Sequence, residues 1–230
     1  HAPSATIDTS GRLVSIYNVK EGKPSNWQDV MSLPRKLSLK SNSLLQITPV
    51  EETDSLRLSK KELSEITVQP NQEILLNNIG GKSIEIEAKI NLATSREAGF
   101  YVLQSKDGTE KTKISLLRTS NTPYKFPQND SLQIDVSEAS KHPNIYARTP
   151  EIGPVKLIND TILNLRIFID QSIIEVFANN EQCLTLRSYP TQKDSRNISF
   201  FAKGGVAKIL NMKVWQMKSI WPELKFKETK

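Results

Sequence analysis

Cysteine and histidine are almost missing from this chain of 230 residues, and their scarcity excludes several kinds of site. The single cysteine, Cys183, cannot form an internal disulfide or supply a cysteine-based zinc cluster. It lies among apolar strand residues, which favours a buried and unreactive thiol. The two histidines, His1 and His142, are too few and too scattered for a typical metal site. We therefore expect no metal site in this chain.

Long hydrophobic runs are also absent, so the sequence predicts no transmembrane helix and no membrane partner. No signal peptide is visible either. The chain begins at His1 and not at Met, so we expect a processed or excerpted piece of a longer protein, in which any targeting segment would have been removed. The expected location is secreted or periplasmic and not cytoplasmic.

The net charge of +6 raises the question of nucleic-acid binding. The lysines, however, are interspersed with glutamates, as in Lys60-Lys61-Glu62, and only residues 225–230 are locally basic. The chain has no basic helix, zinc-finger spacing or aromatic RNA-binding signature. We therefore expect no nucleic-acid partner.

Residues 165–190 carry the clearest pattern, an alternation with the period of two that a pleated strand imposes. Asp170-Gln171-Ser172 and Asn179-Asn180 interrupt it with residues typical of tight turns. The stretch is therefore predicted to be a three-stranded meander. The residues expected between two sheets are Ile167, Ile169, Ile174 and Val176.

Further strand signals recur at short intervals, with no long helix between them. Residues 83–90 alternate cleanly, with Ile84 and Ile86 predicted inside and Glu85 and Glu87 outside. Asp107-Gly108 is typical of a hairpin turn, and Pro49 opens a possible short helix. This spacing predicts an all-β protein, an antiparallel two-sheet β-sandwich. The remaining predicted strands are Ile66–Val68, Ile74–Leu76, Phe100–Leu103, Lys113–Leu117, Leu132–Val136, Ile198–Ala202 and Ala207–Met217.

The first forty residues contain two strand-like runs, Arg12–Tyr17 and Val30–Leu39, separated by a polar loop. Two strands cannot form an independent core, so this segment must be completed by other residues. The polar break at Lys40–Ser43 predicts a boundary, with one domain over 1–42 and a second over 43–230.

The sequence resembles the C-terminal part of glycoside hydrolase family 32, the family of invertases, inulinases and levanases. The similarity lies in RIFIDQSIIEVFANNEQCLTLRSYP, ISFFAKGG and VWQMKSIW, and upstream in MSLPRKLSL and LLQITPVEETDSLR. It implies that residues 1–42 are the last strands of a five-bladed catalytic β-propeller and that residues 43–230 are a C-terminal β-sandwich. It also implies hydrolysis of terminal β-fructofuranosides in sucrose or fructans by a retaining mechanism, without a cofactor.

The catalytic motifs of that family are not found in this sequence. A retaining glycosidase needs two carboxylates about 5 Å apart, and the family places them in motifs containing Asp-Pro and Glu-Cys. The chain has no Asp-Pro dipeptide, and Gln182 precedes Cys183. Asp170 and Glu175 are expected to be structural, Asp170 in a turn and Glu175 paired across strands with Arg166 or Arg187. We expect no catalytic residue in this chain.

One loop could contact substrate, on the basis of the same resemblance. Asn18 matches a family asparagine near the fructose site, and Trp27 matches a later tryptophan, whereas Ile16 replaces the family's first tryptophan. Asn18, Lys20 and Glu21 could donate or accept hydrogen bonds to sugar hydroxyls. An ordinary solvated loop explains these residues equally well. The candidate substrate-binding residues are Asn18, Glu21 and Trp27.

The resulting functional hypothesis is the C-terminal portion of a β-fructofuranosidase-type hydrolase, which supports the propeller but does not catalyse. Its expected partners are the N-terminal propeller portion of the same protein and a sucrose or fructan substrate, and a homo-oligomer through the sandwich is an open possibility. The alternative is a stand-alone carbohydrate-binding or structural β-sandwich module.

Overall fold

The computed structural model describes residues 2–20, 29–118, 130–145 and 148–220. Over these residues the chain is almost entirely β-structure, with a 3-10 helix at Glu51–Leu56. The strands before this helix are β1 (Ser4–Ile7), β2 (Leu13–Ile16), β3 (Asn18–Lys20), β4 (Asp29–Met31), β5 (Arg35–Leu39) and β6 (Leu45–Pro49). The strands after it are β7 (Arg57–Val68), β8 (Gln72–Gly80), β9 (Ser83–Asn91), β10 (Glu97–Gln104), β11 (Thr112–Leu117), β12 (Asp130–Asp135), β13 (Glu151–Val155), β14 (Ile162–Asp170), β15 (Ile173–Ala178), β16 (Gln182–Arg187), β17 (Asn197–Lys203) and β18 (Ala207–Met217).

Two six-stranded antiparallel sheets form the sandwich. We call them the β10 sheet, with the order β13-β12-β11-β10-β17-β8, and the β14 sheet, with the order β16-β15-β14-β9-β18-β7. The apolar residues of their facing sides form one continuous core. The four meander residues predicted to lie between two sheets are all within this core, with relative exposures of 2% or less. The predicted antiparallel two-sheet sandwich is therefore confirmed.

The opposite face of the β14 sheet differs from the prediction. Glu85 was expected to face solvent, yet it is fully buried. Arg57 and Arg166 both donate to its carboxylate, Arg57 at 2.6 and 2.8 Å and Arg166 at 2.5 Å. Alternation shows which residues share a face, but it does not show whether another layer covers that face, and here residues near the 3-10 helix do so.

The N-terminal region forms more strands than predicted. A four-stranded antiparallel sheet with the order β1-β2-β5-β6, which we call the N-terminal sheet, is accompanied by a two-stranded ribbon of β3 and β4. The predicted strand Val30–Leu39 is broken at residues 32–34, where Pro34 cannot donate a backbone hydrogen bond. β1, β3 and β6 were not predicted as strands. The predicted boundary at residues 42 and 43 lies in the turn between β5 and β6, so the N-terminal sheet continues to Pro49.

Two other elements differ from the sequence-based expectation. β7 runs for 12 residues, far beyond the predicted Ile66–Val68. β13 was not predicted, because Gly153 and Pro154 are unfavourable within strands, and it lies at a sheet edge where proline is tolerated. Among the helices that the structure describes, none is long and apolar enough to cross a membrane.

Candidate functional site

Asn18 begins the β3–β4 ribbon, in which it lies opposite Met31. Its side-chain amide donates to a carboxylate oxygen of Asp29 at 3.0 Å. Glu21 and Trp27, the other two candidate substrate-binding residues, lie outside the residues that the structure describes. The structure therefore places one of the three candidates, Asn18, at the first position of the ribbon.

Asn18 also lines a cleft of about 320 Å³ between the ribbon and the sandwich. The cleft brings together groups that are far apart in the sequence and can donate or accept hydrogen bonds, as sugar hydroxyls require. Its one described carboxylate, Glu151, is bonded to Arg148. The described lining residues are Tyr17, Asn18, Val19, Lys20, Arg35, Arg148, Glu151, Cys183 and Thr185.

The base of the ribbon is fixed by Tyr17 and Ser32. The backbone N–H of Ser32 donates to the Tyr17 carbonyl at 2.8 Å, and the Ser32 hydroxyl accepts from the Tyr17 backbone N–H at 3.0 Å. Ser32 is buried. These two hydrogen bonds close the ribbon one residue away from Asn18, so whatever holds residues 32–35 also holds Asn18.

Residues 33–35 are held by Glu175, a carboxylate on the outer face of the β14 sheet that is 2% exposed. It accepts from the backbone N–H of Leu33 at 2.5 Å, from Arg35 at 2.7 Å and from the Thr185 hydroxyl at 3.3 Å. Burial raises the pKa of Glu175, and the Arg35 charge opposes that shift. The structural role expected for Glu175 agrees with these contacts, but its predicted partners were wrong.

The two arginines predicted to pair with Glu175 have other partners. Arg166 binds Glu85 and Asp54, each at 2.5 Å, and Arg187 donates to Ser172 at 2.9 and 3.1 Å. The actual partner, Arg35, is 140 residues away in sequence, so no local pattern identifies it. The only available signal was the Leu-Pro-Arg segment within the family resemblance, which assigned no role to this arginine.

The outer face of the β14 sheet carries a cross-strand row that includes two buried carboxylates. Registers between neighbouring strands align the five residues of this row, which we call the outer row. Arginines cover its aromatic members, with Arg57 lying 4.0 Å from the Trp215 ring centre and Arg166 lying 5.0 Å from that of Phe168. The members of the outer row are Trp215, Glu85, Phe168, Glu175 and Thr185.

Asp170 and Cys183 show no feature of a reactive group. Asp170 is exposed at the end of β14, next to the turn, and accepts from the Ser83 hydroxyl at 3.1 Å. Burial raises the pKa of the Cys183 thiol to about 12, which keeps it protonated and weakly nucleophilic. Within the described part of the chain, no group of three histidine, cysteine, aspartate or glutamate side chains could hold a metal ion.

A third buried carboxylate, Glu110, lies at a different place in the sandwich, next to the hairpin of β10 and β11. It accepts from the backbone N–H groups of Lys141, Thr191 and Gln192 at 2.9 Å, and from the Ser195 hydroxyl at 2.8 Å. Burial acts to raise its pKa, but these hydrogen bonds outweigh burial and lower the pKa to about 2. Glu110 therefore holds the backbone of residues 141 and 191–192 in place, and it does not line the cleft that includes Asn18.

The comparisons with known proteins agree with this architecture. Residues 52–216 match the family model described as the C-terminal domain of glycosyl hydrolases family 32. The chain is 30% identical over 226 residues to a sucrose-6-phosphate hydrolase of Escherichia coli, and it is 27% identical over 205 residues to a levanase of Bacillus subtilis. These alignments cover 94% and 86% of this chain, but only 42% and 28% of the two relatives.

A solved structure shows the same fold. Fructan 1-exohydrolase IIa from Cichorium intybus superimposes with a TM-score of 0.85 at 22% identity, over 95% of this chain and 48% of that enzyme. The chain thus spans less than half the length of the relatives it matches. The family model covers well over half of the chain, from the 3-10 helix to the last strand of the β14 sheet. The chain belongs to glycoside hydrolase family 32 and carries the family's C-terminal domain.

Proposed function

We propose that this chain is the C-terminal portion of a β-fructofuranosidase-type hydrolase and that it supports the catalytic part without supplying catalytic residues. The observation that carries this proposal is the state of its buried carboxylates. The four buried glutamates among the described residues, Glu85, Glu97, Glu110 and Glu175, are all engaged by arginines, lysines, backbone amides or hydroxyls within the fold. A retaining glycosidase instead needs two carboxylates about 5 Å apart that face the bound sugar.

The expected partner is the upstream propeller portion of the same protein. The N-terminal sheet has four antiparallel strands, the number typical of one propeller blade. One of its cross-strand rows consists of apolar residues that become more exposed toward the edge, where Ile7 is 71% and Leu13 is 42% exposed. Further residues upstream would bury this apolar area. The row consists of Ile7, Leu13, Leu37 and Ile47.

The proposed substrates are β-fructofuranosides. Relatives of this chain are named levanase, sucrose-6-phosphate hydrolase and 6(G)-fructosyltransferase, so the names support the fructosyl unit and not one linkage. In the proposed reaction a carboxylate of the upstream portion attacks the anomeric carbon of the fructosyl unit while an acid/base protonates the oxygen of the departing sugar, and water then hydrolyses the covalent fructosyl-enzyme. Asn18, with Glu21 and Trp27 on the same loop, is proposed to contribute contacts to the sugar.

Matched activity assays test this proposal. The full-length protein and the isolated 230-residue chain should be incubated with sucrose, inulin and levan, and released fructose should be measured. We expect turnover by the full-length protein and none by the chain alone. Turnover by the pure chain that is lost in Asp170→Asn or Glu175→Gln would contradict the proposal. Sugar binding by the chain, with an inactive full-length protein, would instead favour a carbohydrate-binding module.

A further inference from the structure

Glu175 is the outer-row carboxylate that joins the sandwich to the segment following the β3–β4 ribbon, and Thr185 touches the same segment by accepting from Arg35 at 2.6 Å. Its neighbour Glu85, two strands away in the same row, contacts Arg57 and Arg166. Both carboxylates are buried and both bind arginine. Only Glu175 also accepts a hydrogen bond from the backbone of residues 32–35, at Leu33. A merely structural need for a buried carboxylate does not explain this additional contact.

Two sets of contacts connect Glu175 to Asn18. In the first, Glu175 holds the N–H of Leu33, whose neighbour Ser32 makes two hydrogen bonds with Tyr17, the residue next to Asn18. In the second, Glu175 holds Arg35, whose guanidinium lies 4.7 Å from the centre of the Tyr17 ring. Both sets end at the residue that precedes Asn18 in the chain.

Arg35 depends strongly on Glu175. The guanidinium is buried beneath the cleft, between the rings of Tyr17 and Phe177. Its Nη2 donates to Glu175 and Thr185, whereas its Nε has no hydrogen-bond partner among the described residues. Glu175 is therefore the carboxylate that offsets a buried cation, and without it the cation would draw water or move away from Tyr17.

We propose that Glu175 is a positioning residue, which acts through Leu33 and Arg35 to set the place of the β3–β4 ribbon, and with it Asn18, at the substrate cleft. This inference rests on the proposed function, because it assigns Asn18 a contact with the sugar. The side chain must be a glutamate, since both carboxylate oxygens are used, one by Leu33 and the other by Arg35. A glutamine has the same shape, but it presents an N–H donor to one of these two donors.

The experiment uses full-length protein and compares Glu175→Gln with a matched control, Glu85→Gln. Both variants lose one buried carboxylate charge from the same row, but only the first removes a contact with the segment that follows the ribbon. For sucrose and inulin, Glu175→Gln should raise KM by about three- to tenfold with kcat nearly unchanged, as expected for a weakened hydrogen bond to bound sugar. Glu85→Gln should leave both KM and kcat within about twofold of their wild-type values.

Hydrogen exchange provides a readout that does not need activity. Peptides that cover residues 29–34 should exchange faster in Glu175→Gln than in Glu85→Gln, whereas peptides from β14 should behave alike in the two variants. Both the KM difference and the exchange difference are required. If the two variants match in either measurement, Glu175 has a structural role only and the positioning proposal is overturned. An inactive wild-type protein would instead count against the proposed function, and the exchange comparison would still test the connection to the ribbon.

Discussion

Both faces of the β14 sheet bury side chains, but by different means. On the inner face, Ile86 and Ile174 are fully buried against the β10 sheet, where burial of apolar area is favourable whatever the partner's identity. On the outer face, Glu85 and Glu175 are buried to the same extent, and each needs particular arginines. The inner face therefore depends on filling volume with apolar side chains, whereas the outer face depends on particular polar partners, among them Arg35, Arg57 and Arg166.

The largest expected effect is on the outer face. Glu175→Ala leaves the Arg35 charge buried without its carboxylate, so it should lower the free energy of unfolding by about 3–5 kcal/mol. Chemical denaturation followed by tryptophan fluorescence would measure the change. Replacing both residues of the pair with apolar side chains of similar volume serves as the control, because it removes the uncompensated charge and should recover most of the loss. A loss below about 1 kcal/mol for Glu175→Ala would mean that solvent reaches Arg35.

The corresponding change on the inner face is Ile174→Ala. It should cost about 2–5 kcal/mol, because it removes buried methyl and methylene groups and leaves a cavity. The same denaturation assay applies, with Ile174→Val as a milder comparison expected to cost about 0.5–1.5 kcal/mol. If Ile174→Ala lowered the free energy of unfolding by less than about 0.5 kcal/mol, the meander would not lie between the sheets.

Changes in pH should alter the stability contributions of Glu175 and Glu110 in opposite directions and by smaller amounts. The raised pKa of Glu175 means that the unfolded chain loses this proton first, so the stability of wild type relative to Glu175→Gln should fall as pH rises above about 4.5. The lowered pKa of Glu110 means that wild type relative to Glu110→Gln should gain stability as pH rises from about 2 to about 4.5. Neither slope can exceed about 1.4 kcal/mol per pH unit.

Denaturation series at several pH values would measure both differences. Glu110 is held by neutral donors, whereas Glu175 is buried beside Arg35. If the stability differences of Glu110→Gln and Glu175→Gln changed with pH in the same direction, this distinction would be contradicted. Both residues are glutamates, so their pKa values in the unfolded chain are the same. A difference between the two variants therefore reports on the environment of each carboxylate in the folded protein.

The sequence predicted the inner face well and the outer face poorly, for a physical reason. Strand alternation places Ile84 and Ile86 on one side and Glu85 on the other, and this is confirmed. Whether the second side is covered depends on contacts between residues far apart, such as Arg35 and Glu175, which no periodicity encodes. The candidate site shares this limit, because the position of Asn18 in a cleft depends on how residues 17–20 and 29–35 pack against the sandwich.

Directional contacts, and not apolar packing alone, attach residues 33–35 to the sandwich. A double-mutant cycle on Arg35 and Glu175 tests this attachment most directly, with unfolding free energies measured for wild type, Arg35→Met, Glu175→Gln and the double variant. We expect a coupling of about 1–3 kcal/mol between the two residues. A coupling within about 0.5 kcal/mol of zero, the range of independent sites, would contradict it.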